Sequence, residues 1–221
     1  MRELRVVRMV LGMVQTNCYA LYREPADGEK APAIVIDPPD NGEKIYETLT
    51  ERGLVIEKIV LTHAHFDHIG GIPGLEESAE KAGEGHIPVL CPADEEPLCR
   101  DPELNCSLGM GGHSQVIAPD VWLRECDRIE AGDFFCTVIA SPGHTAGGCC
   151  YYVEEAGILF SGDTLFEGSV GRTDLPTGSM SVLLRSIREK LFVLPDDTAV
   201  LPGHGDSTTI GQEKKYNPFT G

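Results

Sequence analysis

Three histidines and an aspartate fall within six residues of the stretch LTHAHFDHIGG, as His63, His65, Asp67 and His68. Neutral imidazoles and carboxylates are the ligands that divalent zinc, iron or manganese accept. The run before the cluster, VIEKIVL over 55–61, is β-branched and apolar and predicts a strand. The segment after it, PGLEESAEKAG, predicts a turn into a helix. In extended backbone, residues two apart share a side, so His63 and His65 can aim at one point. Asp67 and His68 lie past the bend and can aim at a second point beside it. A solvated histidine-rich loop is the plain alternative, and the spacing and the flanking strand argue against it.

A metal ion needs further ligands, and three other places offer them. His144 in SPGHT follows an expected strand at 136–140, Asp163 in FSGDT follows one at 157–161, and His204 in LPGHG follows one at 199–201. Each stands beside a glycine that lets backbone approach closely. Singly, each reads equally well as a turn residue. Together with the cluster they make seven ligand candidates at strand ends, using five of the seven histidines. His86 and His113, in the less regular region 84–127, read as surface residues, and Thr62 and Thr145, each next to a ligand candidate, could orient an imidazole.

The elements that must hold these residues alternate between strand and helix. Strands are expected at 4–10, 16–22 and 33–37, then a helix over 41–52 stopped by Gly53. The stretch GMGGHSQVIAP, 109–119, reads as a flexible loop over a site or a surface excursion. Strands return after Asp127, with EEAG as a hairpin turn. A helix capped by Ser179 or Ser181 is expected to reach about residue 193 along Leu183, Leu184, Ile187 and Leu191. The tail 211–221 reads as polar and marginal. The expectation is one α/β domain spanning 1–221.

Bulk properties narrow the function. Eighteen Lys and Arg against 35 Asp and Glu give a net charge of −17, which repels polyanions and argues against a nucleic-acid ligand. No apolar run approaches a membrane span, and the N-terminal segment lacks the pattern of an export signal. Eight cysteines without a C-x-x-C pair then read as reduced thiols of a cytoplasmic protein. Cys149 and Cys150 are adjacent strand residues facing opposite sides, so they read as packing. Trp122, Tyr151 and Tyr152 read as core or rim.

THAHFDH, PGHT, SGD and PGHG, in that order, resemble the metallo-β-lactamase superfamily. GDTLFEGSVGRTDLPTGS and LPGHGDSTTIGQEKKYNPF are similar to the short glyoxalase II-like hydrolases, relatives of hydroxyacylglutathione hydrolase, and more distantly to persulfide dioxygenases. The resemblance implies an αβ/βα four-layer sandwich. It also implies His63, His65, His144 and Asp163 on a first metal, and Asp67, His68, Asp163 and His204 on a second, with Asp163 bridging. The ions would be two divalent metals, zinc first, with iron or manganese also accepted. Class B β-lactamases typically carry a cysteine where this chain has Asp163, and are usually exported.

The implied reaction is hydrolysis of a small-molecule thioester such as S-lactoylglutathione by a metal-bridging hydroxide, with Asp67 able to orient it or accept its proton. The alternatives are a mononuclear iron persulfide dioxygenase, or a lactone or phosphodiester hydrolase on the same scaffold. Full-length glyoxalase II enzymes add a C-terminal helical domain that helps bind glutathione, and no such domain is expected within 1–221. An anionic thiol conjugate would then need a local cation. Arg172 and the pair Lys214 and Lys215, read as opening a short helix, are the candidates, with the lysines favoured because Arg172 can pair with Asp174.

Overall fold

Strand β1 (Leu4–Leu11) alternates half-buried and exposed residues, whereas β2 (Thr16–Arg23) and β3 (Ala31–Ile36) are buried almost throughout. That difference places β1 at the edge of a sheet and β2 and β3 inside it. The computed structural model describes residues 2–26 and 28–220; Met1 and Gly221, the ends of the expected domain span, lie outside the described residues. The chain continues through α1 (Gly42–Thr50), β4 (Leu54–Val60), α2 (Phe66–Ile69), α3 (Ile72–Ala82), β5 (Val89–Pro92), α4 (Glu96–Arg100) and β6 (Val121–Leu123). These strands form a six-stranded sheet in the order β1 to β6, antiparallel from β1 to β3 and parallel from β3 to β6.

A second sheet uses β7 (Arg128–Ala131), β8 (Phe134–Ala140), β9 (Cys149–Val153) and β10 (Ile158–Gly162). The small hairpin β11 (Leu165–Phe166) and β12 (Ser169–Val170) and helix α5 (Met180–Ser186) follow. Then β13 (Ala199–Pro202), β14 (Thr208–Thr209) and α6 (Ile210–Tyr216) complete the order. The sheet order is β14-β13-β10-β9-β8-β7, parallel only between β10 and β13.

The two sheets pack face to face through Tyr19, Leu21, Ile34, Ile36 and Val60 on one side and Phe134, Val138, Tyr151 and Phe160 on the other. Outside the first sheet, Ile45 and Leu49 of α1 and Ile72, Leu75 and Ala79 of α3 cover Val35, Ile56 and Ile59. Outside the second, Leu183, Ile187, Leu191 and Ile210 cover Cys150, Leu159 and Val200. The result is the expected αβ/βα sandwich, helices outermost and sheets within.

Local outcomes follow the expected physics with several corrections. Gly53 closes α1 at a φ of 74°, and EEAG makes the turn between β9 and β10. The helix expected to reach residue 193 is α-helical only to Ser186 and continues as a π-turn over Ile187–Leu191, which leaves both Ile187 and Leu191 buried. Ser179 stands at its N-cap without a side-chain cap bond. The tail is not marginal: α6 buries Ile210 and Glu213, and Glu213 binds Thr208 Oγ1 at 2.6 Å and the Gly168 amide at 3.0 Å. Cys149 enters the core between the sheets and Cys150 the core under α5, as alternation requires, and all eight cysteines are free.

Candidate metal centre

Four strands end at one edge of the sandwich and deliver every ligand candidate there. Beyond β4 no helix begins until after His65, itself extended at φ −67° and ψ 150°, and the chain then enters α2. His63 and His65 therefore project before the bend, and Asp67 and His68 from the first turn of the short helix. His144 follows β8, Asp163 follows β10 and His204 follows β13. The two sheets are stitched at this edge by the Cys149 amide donating to Thr62 O at 2.9 Å and the Asn17 amide donating to Gly203 O at 2.7 Å.

Two glycines are demanded by the crowding. A Cβ on Gly143 would lie 2.3 Å from Leu183 Cα, at a φ of 138°, so only glycine lets the His144 loop rest on α5. A Cβ on Gly203 would lie 2.2 Å from Asp163 Oδ1 and 2.8 Å from His68 Cε1. Such contacts would displace the donors themselves.

The side chains converge in three overlapping groups: His63, His65 and His144; His63, His68 and Asp163; and Asp67, His68 and His204. Within each, the ligand atoms lie within 4.8 Å of one another. Asp163 reaches toward both ends, with Oδ2 3.6 Å from His144 Nε2 and 3.5 Å from His204 Nε2, and Oδ1 3.5 Å from His68 Nε2. Asp67 Oδ2 lies 3.2 Å from His204 Nε2 and accepts from Thr16 Oγ1 at 2.9 Å.

Hydrogen bonds outside the cluster set the tautomers. His144 Nδ1 donates to Arg172 O at 2.7 Å, leaving the Nε2 lone pair for the interior. Thr62 Oγ1 donates to Asp37 Oδ2 at 2.7 Å and, 3.0 Å from His63 Nδ1, accepts from it, so His63 also offers Nε2. His68 Nδ1 lies 3.0 Å from Asp37 Oδ2, with the same consequence. His65 Nδ1 and His144 Nε2 then face each other at 2.9 Å with lone pairs converging on a common point. His63 Nε2, His68 Nε2 and Asp163 Oδ1 are buried without a hydrogen-bond partner. Each such orphan costs about 1–3 kcal/mol unless something completes it. Divalent metal ions fit this donor set.

The charges agree. Burial, then His68 and His144, holds His63 well below the usual imidazole range; burial and His144 take His65 down to about 3. Both are therefore in the neutral, ligating form. Burial also opposes charging of His68 and His204, yet it is outweighed: Asp67, Asp37 and Asp163 push His68 up to about 9. Hydrogen bonds to Asp163 and Asp67 push His204 up to about 11. Burial would raise Asp67, but His68 and His204 hold it at about 2; the same two residues and His144 hold Asp163 well below the carboxylate range. A negative potential that retains two protons is one that retains cations.

Sequence reasoning missed Asp37 and Glu95. Asp37, buried at the end of β3 with a φ of 50°, also accepts from the Thr62 amide at 2.7 Å. Glu95 is fully buried, its Oε2 accepting from Ala64 N and its Oε1 from Gly147 N, both at 2.8 Å. Burial raises its pKa even though Thr145 and those amides favour the charged form. One carboxylate thus clamps the loop carrying His63 and His65 to the loop carrying His144. The only sequence signal for Asp37 was a carboxylate before Pro38-Pro39; Glu95, in the acidic run ADEEP, had none.

The substrate candidates fare unequally. Lys214 Nζ is held by Asp196 Oδ1 at 2.5 Å and Leu194 O at 3.3 Å, and Lys215 lies over the Tyr216 ring. Both sit in the last turn of α6, not its start, and neither lines the cavity at the cluster. Arg172 does line that cavity, and its guanidinium donates to both Asp174 oxygens at 2.7 and 2.8 Å. The cavity measures about 140 Å³. His86 pairs with Asp120 at the surface, and His113 is exposed and belongs to none of the three ligand groups.

A four-layer αβ/βα sandwich with a His and Asp donor set across the ends of both sheets defines the metallo-hydrolase class of metal-binding proteins. The chain belongs to the metallo-beta-lactamase superfamily, whose family model matches residues 11–204. It is 38% identical over 213 residues, covering 96% of this chain and 95% of the relative, to a probable metallo-hydrolase, YqgX, of Bacillus subtilis. It is 35% identical to the hydroxyacylglutathione hydrolase GloC of Haemophilus influenzae, covering 93% and 92%. Among solved structures it is similar to the B3 metallo-beta-lactamase BLEG-1, with TM-score 0.86, 38% identity and 98% and 99% coverage. TTHA1623 in a di-iron-bound form matches with TM-score 0.80, 36% identity and 96% and 99% coverage. ETHE1 from Myxococcus xanthus matches with TM-score 0.73, 26% identity and 97% and 83% coverage.

Proposed function

We propose that this chain is a dinuclear metal-dependent hydrolase that cleaves a thioester of a small thiol, S-lactoylglutathione being the reference substrate. The observation that carries the reading is the placement of Asp163 between the two outer ligand groups, with oxygens toward His144, His68 and His204 together. In this reading His63, His65 and His144 with Asp163 hold one ion, and Asp67, His68 and His204 with Asp163 hold the other. Bound there, two divalent ions, zinc or alternatively iron or manganese, would supply an acidified water and an electrophile for a carbonyl oxygen.

The chain's own residues do the rest. Asp37 and the Arg172 carbonyl fix which nitrogen His63, His68 and His144 present. Asp67, oriented by Thr16, keeps an oxygen in the cavity that can accept a proton from a reacting water. Phe66, Val14 and Leu175 restrict bulk water around the carbonyl. A thiolate leaves readily and needs little help from a general acid. Similarity to GloC supports the same reaction class. Eight free cysteines support a cytoplasmic setting.

The resemblance of GDTLFEGSVGRTDLPTGS and LPGHGDSTTIGQEKKYNPF to persulfide dioxygenases keeps that activity as the second reading. The Asp67, His68 and His204 group weighs against it, since a single-iron site needs no second triad. Metal analysis of anaerobically purified protein, with turnover assays on S-lactoylglutathione and glutathione persulfide after loading with Zn, Fe or Mn, separates them. About two ions per chain with thioester turnover are expected. One ion with oxygen consumption and no thioester turnover would falsify the proposal.

A further inference from the structure

The cavity that opens on His65, Asp67, His144, Asp163 and His204 is walled on its other sides by Val14, Phe66, Cys106, Met110 and Leu175. A guest whose carbonyl reaches the ligand cluster therefore lays its nearest carbons against carbon and sulfur. The one arginine of the lining, Arg172, is already paired in two-point fashion with Asp174, and no lysine lines the cavity among the described residues. A carboxylate on that part of the substrate would find no unpaired arginine or lysine there.

A second cavity of about 200 Å³ adjoins the first, sharing Val14, Phe66 and Asp67. It adds Met13, His113 and Gln115, and an exposed carboxylate at Asp40. Met13, Val14 and Met110 come from two separate segments and are exposed by 78%, 41% and 45%, so the apolar surface is unsatisfied until a guest covers it. Two of the three are methionines, whose flexible thioethers adapt to guests of varied shape.

We propose that the cavity beside the cluster is an acyl pocket for an uncharged, apolar acyl group, with the carrier thiol running into the adjoining cavity. The inference rests on the thioester-hydrolase reading above. An apolar cavity of about 150 Å³ holds a benzene-sized guest, so the pocket takes roughly four to six carbons. Of the two groups bonded to the carbonyl that must meet the cluster, the acyl chain is the uncharged one, whereas glutathione carries two carboxylates that a lining with no unpaired arginine or lysine among the described residues does not match, so the acyl end belongs in the first cavity. The adjoining cavity has the polar His113 and Gln115 that a carrier amide can use.

The test holds the thiol constant and varies the acyl group: S-lactoyl-, S-butanoyl- and S-hexanoylglutathione with the metal-loaded enzyme. We expect kcat/KM to rise roughly threefold per added buried methylene, with hexanoyl well above lactoyl. Met110→Ser combined with Val14→Ser should lower kcat/KM for hexanoyl severalfold more than for lactoyl. A binding measurement independent of turnover accompanies this: hexanoate should raise the Tm of the loaded protein more than lactate at equal concentration. Lactate stabilising as much as hexanoate, or a flat or lactoyl-first series, overturns the pocket and leaves thioester hydrolysis standing. No turnover of any of the three, with hexanoate still the better stabiliser, ends the thioesterase reading and retains the pocket.

Discussion

The Thr62 hydroxyl donates to the Asp37 carboxylate at 2.7 Å in the buried interior, and the same carboxylate lies 3.0 Å from His68 Nδ1. One acid at the end of β3 therefore orients two histidines, one through Thr62 and one directly. Asp37→Asn keeps the shape but can place a donor where Thr62 or His68 needs an acceptor. Losing such a partner typically weakens metal binding about 10- to 100-fold. Chelator-competition titration of Asp37→Asn should show that loss, while its circular dichroism stays native. Unchanged affinity would mean Asp37 serves folding alone.

Asp163→Ala should lose more metal than alanine at any single histidine, because Asp163 directs its two oxygens to both outer ligand groups. Gly203→Ala should mimic part of the effect, since its Cβ would press to 2.2 Å from Asp163 Oδ1. Plasma emission spectrometry on purified variants reads the stoichiometry. Two ions retained in Asp163→Ala would remove it from the bridging position.

Glu95→Gln replaces one of two acceptor oxygens by a donor, facing either the Ala64 or the Gly147 amide. A buried donor left against a donor costs about 2 kcal/mol, or roughly 4–8 °C in Tm for a chain of this size. Because Glu95 ties the His63 and His65 loop to the His144 loop, apparent affinity for the first ion should fall as well. Calorimetry of metal-free protein and metal titration separate the two effects. A stability loss with intact affinity would confine Glu95 to the fold.

Metal uptake should release protons near neutrality. Without metal, Asp67, Asp37 and Asp163 push His68 up to about 9, and hydrogen bonds to Asp163 and Asp67 push His204 up to about 11, so both are protonated at pH 7.5. A cation taking their Nε2 lone pairs must expel those protons, and apparent affinity should rise with pH. By pH 10 His68 has largely lost its proton, and the release should drop by about one. The stabilisation these raised values represent is complete below about pH 6.5 and declines as pH rises through both values. Titration calorimetry in buffers of different ionisation enthalpy counts the protons; a release independent of pH would contradict the assignment.

Lys214→Ala with Lys215→Ala should leave the Michaelis constant unchanged, because Asp196 and Leu194 O hold Lys214 outside the cavity. Arg172→Ala keeps the backbone oxygen that accepts from His144 but frees Asp174 and opens the cavity. It should alter the Michaelis constant with little change in turnover, the mark of altered ground-state binding. Steady-state kinetics on the two variants decide between them.

The sequence by itself determined which residues are chemically capable of the site. Histidine and aspartate types, their period in extended backbone and their position after apolar runs are local properties, and all seven candidates meet at one edge of the sandwich. The core faces were likewise written in alternation, as the burial of Cys149 and Cys150 in two different cores shows, whereas β5 and β6 lie in the region read as irregular. Only the tertiary structure decided the residues that act across long separations. Glu95 reaches Ala64 and Gly147, and Asp37 reaches Thr62 and His68, because parallel strands bring distant segments to one edge. No local periodicity encodes such a pairing. The fate of Lys214 was decided in the same way: its charge was visible in the chain, but its partner, Asp196, was supplied by how α6 packs beside the loop before β13.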